Sequence, residues 1–157
     1  MKTVQGNIWD FHNQGLPICI TTNVGWKNNG ENVMGRGVAQ QAKEKFPGLT
    51  KWYGEKCRDL FLLNGTELGV VYNKEYNLIC FPTKPLNSKQ PWLSWQKNST
   101  LGRIETSCKQ LLKLQLNKVY LPVPGCGNGK LDFKDVAPIL DKYLNTDNYN
   151  LVLFKKG

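Results

Sequence analysis

The stretch VYLPVPGCGNGKLDF, Val119 to Phe133, decides how the rest of the chain is read. Val119, Tyr120 and Leu121 have the β-branched and apolar character of a buried strand. Pro122 and Pro124 halt it, because proline has no N–H to give a sheet ladder. Gly125, Gly127 and Gly129 follow at alternate positions, and without a Cβ their backbone N–H groups can come close to a ligand. An amphipathic segment begins at Phe133. Strand, glycine loop and helix in this order form the device by which open α/β sheets hold phosphate-bearing ligands at a strand's carboxyl end. Three glycines alone fit an ordinary strand-to-helix turn equally well. A second such loop tips the balance.

That second loop lies upstream. Leu16 to Thr22 (LPICITT) reads as a buried strand, and the Gly- and Asn-rich stretch from Asn23 to Gly37 as the loop after it. It ends in Val33-Met34-Gly35-Arg36-Gly37 and runs straight into VAQQAKEKF, a predicted helix over Val38–Phe46 stopped by Pro47-Gly48. A glycine turn at a helix N-terminus offers unpaired N–H donors and the positive end of the dipole. Two further loops are expected at strand ends. Gly6-Asn7-Ile8 follows a short strand over Lys2–Gln5, and Phe81-Pro82-Thr83-Lys84 puts a lysine just past an apolar strand. Two glycine loops and a lysine suggest a ligand with at least two phosphates.

The remaining segments complete an alternating pattern. Glu67–Tyr72 and Tyr76–Phe81 read as a hairpin joined near Asn73-Lys74-Glu75, whereas Leu49–Asn64 is mixed and its second half has no clear period. Pro82–Asn98 reads as a long polar loop carrying Trp92 and Trp95, whose rings either stack on a base or ribose or pack beneath the loop. Ser99 or Thr100 caps a predicted helix reaching about Leu116, with Leu101, Ile104, Cys108, Leu111, Leu112 and Gln115 at helical spacing. Phe133–Leu144 is a final helix with Val136, Ile139, Leu140 and Tyr143 inward, and Leu151–Phe154 a last strand. The expected fold is a single-domain, three-layer α/β/α sandwich with a central mixed sheet over residues 1–157.

Composition sets the outer limits. Among 157 residues, 40% are hydrophobic and 21% charged, a globular and not a disordered balance. The five cysteines are odd in number and show no CxxC spacing, so neither a disulfide framework nor a metal site is expected, and no cofactor. The single histidine, His12, lies in a polar stretch and reads as an exposed loop residue, not a catalytic one. No apolar run approaches the roughly 20 residues that span a bilayer. MKTVQGNIWDF lacks the apolar centre of a secretory signal. A soluble, cytoplasmic protein is therefore expected, in the host cytoplasm if it is phage-encoded. A net charge of +9 and a pI near 9.4 attract polyanions, phosphate-bearing ligands or nucleic acid. The lysines are scattered along the chain, so charge alone defines no nucleic-acid groove.

These motifs together resemble a family. Asn23, then Gly35-Arg36-Gly37-Val38-Ala39, then Pro124-Gly125-Cys126-Gly127-Asn128-Gly129 with Leu131 resemble, in the same order, the macrodomain, an ADP-ribose-binding α/β/α module. The nearest branch holds the DNA ADP-ribosyl glycohydrolase antitoxins and the terminal ADP-ribose glycohydrolases, which share an MG(K/R)GIA loop, an FPTK-type segment and a GCG loop. Small stand-alone bacterial and phage macrodomains, some of them ADP-ribose-1″-phosphate phosphatases, also look similar. The resemblance implies that Asn7 accepts the adenine amino group and that Ile8 lends a backbone N–H. Asn23 would contact the distal ribose. Gly35, Arg36, Gly37 and Val38 would hold the α-phosphate side, and Gly125 to Gly129 would wrap the pyrophosphate. Lys84, the lysine of the FPTK segment, would attack the anomeric carbon C1″, with Asn23 as the second catalytic candidate.

Two departures stand out. The protein-directed glycohydrolases carry an aspartate in the last glycine loop, where this chain has Gly129-Lys130; that leaves DNA-directed and phosphatase-like readings. The insertion Trp26–Asn32 and the loop Pro85–Asn98 are long enough to gate the site or meet a partner. The alternative to an enzyme is a module that binds ADP-ribose or a related nucleotide without turning it over.

Overall fold

In the computed structural model, which describes residues 1–154, near-continuous burial of the central strands accounts for the layering. The strands are β1 (Lys2–Gly6), β2 (Ile18–Asn23), β3 (Val71–Asn73), β4 (Leu78–Lys84), β5 (Val119–Pro122) and β6 (Tyr149–Phe154). The helices are α1 (Ile8–Asn13), α2 (Gly37–Lys45), α3 (Leu49–Asn64), α4 (Leu101–Lys113) and α5 (Phe133–Leu144), with a 3₁₀ turn over Pro91–Gln96. The strands form one sheet of order β1-β6-β5-β2-β4-β3, parallel throughout except for the antiparallel edge strand β3.

Successive strand side chains point to opposite faces, so each central strand serves two cores. On one face Ile18, Ile20, Leu78 and Cys80 pack against Ile8 and Trp9 of α1, Ala39 and Ala42 of α2, and Leu49, Tyr53 and Cys57 of α3. On the other, Cys19, Ile79, Phe81 and Leu121 pack against Ile104, Cys108 and Leu111 of α4 and Val136, Leu140 and Leu144 of α5. The strands are apolar on both sides because both sides are covered, as in other parallel sheets. A one-residue slip of β2 would exchange the two cores' side chains, so the register is firmly set. The expected α/β/α layering around a mixed sheet is what the structure has.

Several local expectations are corrected. Ile8–Asn13 is a helix rather than a loop, capped by Asn7 Oδ1 on Trp9 N at 3.0 Å. His12 is accordingly no exposed loop residue. It is half-buried on α1, with Nε2 at 2.8 Å from the Tyr76 carbonyl and its ring edge-on to Trp9. The unassigned Leu49–Asn64 is one continuous helix. Pro82–Lys84, expected to begin a loop, belongs to β4. The register between β2 and β4 slips there, from Thr22↔Pro82 to Asn23↔Lys84, which accommodates a residue that cannot donate to the ladder. The hairpin is shorter than expected, with β3 reduced to Val71–Asn73.

Candidate functional site

The carboxyl ends of β1, β2, β4, β5 and β6 open onto one cleft of about 730 Å³. The central crevice lies between β5 and β2, where the chain leaves β2 toward β4 on one side and returns as β5 on the other. Open α/β sheets bind ligands at such a reversal. The cleft takes Gly6 from β1, Asn23 from β2, Lys84 from β4, Pro122 from β5 and Phe154 from β6, with both glycine loops along its length.

The two loops present unpaired amides in different ways. Arg36 is the N-cap of α2, but no side chain caps the helix. Gly37 enters the helix at φ +62, a conformation that favours glycine. The first-turn N–H groups of α2 thus face the cleft with the positive end of the dipole behind them. In the second loop, carbonyls are tied down: Leu131 N bonds the Gly125 carbonyl at 2.9 Å, and Ser99 N bonds the Gly129 carbonyl at 3.1 Å. The amides of Gly125 through Gly129 have no backbone acceptor among the described residues. Amides without partners along a cleft wall are what an anionic oxygen would satisfy.

The glycines of this loop are there for three reasons. Gly125 has φ +76, so a side chain is strained there. Gly129 packs against Ser99, where a Cβ would fall 2.2 Å from the Ser99 Oγ. Only Gly127 faces open space, with nothing within 4 Å of where a Cβ would stand. Gly127, Asn128, Gly125 and Gly129 line the cleft, whereas Pro124 is buried and the Cys126 Sγ turns back toward the Pro124 carbonyl at 3.5 Å.

Lys84 stands at the far end, as the last residue of β4. Its Nζ donates to the Trp95 carbonyl at 2.9 Å. Partial burial lowers its pKa from the ordinary 10.5, and the Arg36 guanidinium and Lys130 ammonium lower it further. A larger share of free amine, and hence of nucleophile, follows at any pH below the ordinary value. Asn23 is buried beside it and holds the loop that follows: Nδ2 donates to the Val33 carbonyl at 2.9 Å, while Oδ1 accepts from Gly25 N at 2.8 Å and Asn32 Nδ2 at 3.0 Å. One Nδ2 hydrogen stays available to a ligand.

No protein-family model matches the chain. It is 24% identical over 166 residues to a DNA ADP-ribosyl transferase–DNA ADP-ribosyl glycohydrolase fusion protein of Thermosipho africanus, covering 92% of this chain and 39% of that protein. It is 29% identical over 115 residues to a DNA ADP-ribosyl glycohydrolase of Mycobacterium tuberculosis, covering 66% of this chain and 29% of that one. The chain thus spans well under half the length of the relatives it matches. Among solved structures, the macrodomain of Thermus aquaticus DarG superposes with TM-score 0.66 at 23% identity, covering 99% of this chain and 97% of the other. The macrodomain of Mycobacterium tuberculosis DarG superposes with TM-score 0.61 at 25% identity, covering 90% and 89%. The fold is that of a macrodomain.

Within the macrodomain cleft, Asn7, Ile8, Asn23, Gly35, Arg36, Gly37, Val38 and Lys84 all line the walls, far apart in sequence and brought together by the strand order. Asn7 Oδ1 already accepts the Trp9 amide as a helix cap, and its second lone pair remains for a ligand. Sequence reasoning missed Ser99, Thr83 and Phe154. Ser99 Oγ donates to Thr83 Oγ1 at 3.1 Å beneath the glycine loop. Phe154, 75% exposed, sits beside the Gly6–Asn7 end because it pairs with Gly6 across β1 and β6. An aromatic at the end of the last strand was the signal available for it. The insertion Trp26–Asn32 is no free flap: Trp26 packs on Phe61 at 5.7 Å, and Asn32 N bonds the Thr50 carbonyl at 2.9 Å, pinning it to α3. Among the described residues no helix is long and apolar enough to cross a membrane, and no cluster of His, Cys, Asp and Glu could hold a metal ion.

Proposed function

We propose that the cleft binds ADP-ribose and that Lys84 hydrolyses the bond at C1″ of its distal ribose. Two amide cradles suit a pyrophosphate, and the surplus of positive charge suits its two negative charges. The observation that carries the catalytic reading is Lys84 itself, a partly buried amine that lines the cleft from the last position of β4, with two cations lowering its pKa further.

The chemistry closes with one water. The free Lys84 amine attacks C1″, and the electron pair of the C1″–leaving-group bond departs with the leaving group, which takes up a proton. The nitrogen sheds a proton, the ring opens with O4″ protonated, and a lysine imine forms. Water adds to the imine carbon, the C–N bond breaks, and ADP-ribose leaves with Lys84 restored. The likeness to DNA ADP-ribosyl glycohydrolases supports a nucleobase as leaving group. So does Gly129-Lys130, which places no carboxylate in the last glycine loop.

Calorimetry with ADP-ribose tests the binding half; no heat at high micromolar ligand overturns it. For the catalytic half, wild type and Lys84→Arg are assayed on ADP-ribosylated oligodeoxynucleotide, ADP-ribosylated protein and ADP-ribose-1″-phosphate. Arginine keeps the charge and loses the nucleophile. Release from the oligonucleotide by wild type alone is expected, and a wild type inert on all three leaves only a binding module.

A further inference from the structure

A second groove, of about 610 Å³, begins where the cleft ends. Val33 and Trp95 line both, so they form the wall between the two. Lys27, Asn28, Asn29 and Trp92 supply most of the remaining surface, from the loop after β2 and from the strap Pro85–Asn98. Trp92 is 42% exposed and Trp95 36%, although both sit in a strap that the fold holds firmly. Asn87 N bonds Ser94 Oγ at 2.9 Å, Leu86 N bonds Glu67 Oε1 at 2.9 Å, and Ser94 is wholly buried against Gly25. Two part-exposed indoles side by side on an ordered strap form an apolar patch of the kind that marks an interaction site.

Position, aromaticity and charge agree on an occupant. Lys84 lies at the junction, its Nζ on the carbonyl of Trp95. With ADP-ribose in the cleft and C1″ at Lys84, a group bonded to C1″ comes up against Trp95, and the groove continues from there. The strap contributes Lys89 and Lys97 and has no carboxylate, and the loop from Asn23 to Gly37 adds Lys27 and Arg36 against a single acid, Glu31. The Glu31 carboxylate is taken up by Asn29 and Thr50 and lies 3.9 Å from Lys27. Exposed aromatics among cations are how proteins hold unpaired nucleic-acid strands, since each base offers a π-face that a duplex conceals.

We propose that the Trp92–Trp95 groove is a binding site for single-stranded nucleic acid, stacking the base that carries the ADP-ribose or its neighbour while Lys27 and the strap lysines meet the phosphates. The proposal rests on ADP-ribose occupying the first cleft, but the groove can be tested alone. Binding of a short fluorescein-labelled oligothymidylate without ADP-ribose is measured by anisotropy across a salt series, for wild type, Trp92→Ala and Lys27→Gln. Trp92→Ala is expected to weaken the single strand by about ten-fold, the scale of one lost base–aromatic stack. Lys27→Gln should reduce the slope of log K against log salt by about 0.7, one single-strand phosphate contact. The matching duplex should bind more weakly and ignore the Trp92 change. ADP-ribose calorimetry on Trp92→Ala should match wild type, which also reports that the variant is folded. Equal strand affinity for wild type and Trp92→Ala overturns the groove, as does duplex binding as tight as single-strand binding. A Trp92→Ala loss of activity as large on ADP-ribosylated protein as on the oligonucleotide overturns it in favour of a polypeptide. Failure of ADP-ribose to bind wild type overturns the first cleft's reading without altering these strand measurements.

Discussion

At Lys84 the fold holds an amine in a half-buried place beside Arg36 and Lys130, which disfavours its charged form. Because the folded pKa lies below the unfolded one, the group costs stability at all pH values below the folded pKa, and the cost fades as pH rises toward 10.5. Lys84→Met is therefore expected to melt at or above the wild-type temperature at neutral pH while release of ADP-ribose falls by about 10²-fold or more, the scale of losing a positioned catalytic group. A Tm clearly below wild type would mean the Trp95 bond outweighs the charge. The same logic gives a pH test. Arg36→Gln and Lys130→Gln each remove a cation that lowers the Lys84 pKa, so the rising limb of the pH–rate profile should move to higher pH in both. The glycine loop separates binding from folding at single positions. Gly129→Ala drives a Cβ into Ser99 and the Gly125 carbonyl and should cost about 1–3 kcal/mol in denaturant unfolding. Gly127→Ala meets nothing and should stay within about 0.5 kcal/mol of wild type, while its methyl weakens ADP-ribose at the loop's open face.

At the scale of elements, the strap over Pro85–Asn98 depends on a backbone contact that no side chain can replace. A Cβ on Gly25 would lie 2.1 Å from the Pro91 carbonyl and 2.5 Å from Ser94 Oγ. Gly25→Ala should therefore push the strap outward, and limited trypsin digestion should cut at Lys89 and Lys97 well before the wild type is touched; equal cleavage rates would show that the strap does not rest there. The legible elements were those with a strong period or a strong stop. α5 runs over Phe133–Leu144 as its apolar spacing implied, capped by Asp132, and α2 stops before Pro47-Gly48. α3 was illegible because it is only half an interior helix: Leu49, Tyr53 and Cys57 keep the period, then Leu62 and Leu63 stand 70% and 82% exposed and blur it. α1 was hidden by brevity, six residues in which Trp9 and Ile8 are buried by tertiary packing and not by periodicity. The lining of the cleft was legible where glycines follow a strand and a lysine ends one. Ser99 and Thr83 were not, since their bond depends on two elements meeting in space.

For the whole molecule, the two cores share an unusual ingredient, four buried thiols. Cys19 and Cys108 lie in one core, Cys57 and Cys80 in the other, and burial raises all four pKa values, Cys108 to about 12. Tyr53, fully buried, is raised in the same way. Below the ordinary thiol value of 9.0 these groups are neutral whether the chain is folded or not, so they leave stability unchanged with pH. Above it the unfolded chain sheds its thiol protons while the folded chain keeps them, and stability declines. Each group contributes up to about 1.4 kcal/mol per pH unit. Four acting together would consume a typical net stability of about 5–15 kcal/mol within a few pH units. The thiols therefore add no decline in melting temperature from neutral pH to about 9 and make it fall steeply beyond, a collapse of both layers at once because the sheet is common to them. Cys108→Ala should melt lower at neutral pH, from the lost packing, yet lose less with each further unit of alkalinity. In the native protein Cys126, half-buried in the glycine loop, is the one thiol a reagent should reach, slowed because partial burial and the Asp132 carboxylate raise its pKa, and the other four should react only on unfolding. A Tm that declined no faster above pH 9 than below it would show that these thiols are ionised in the folded state, and the cores would then be far wetter than their burial implies.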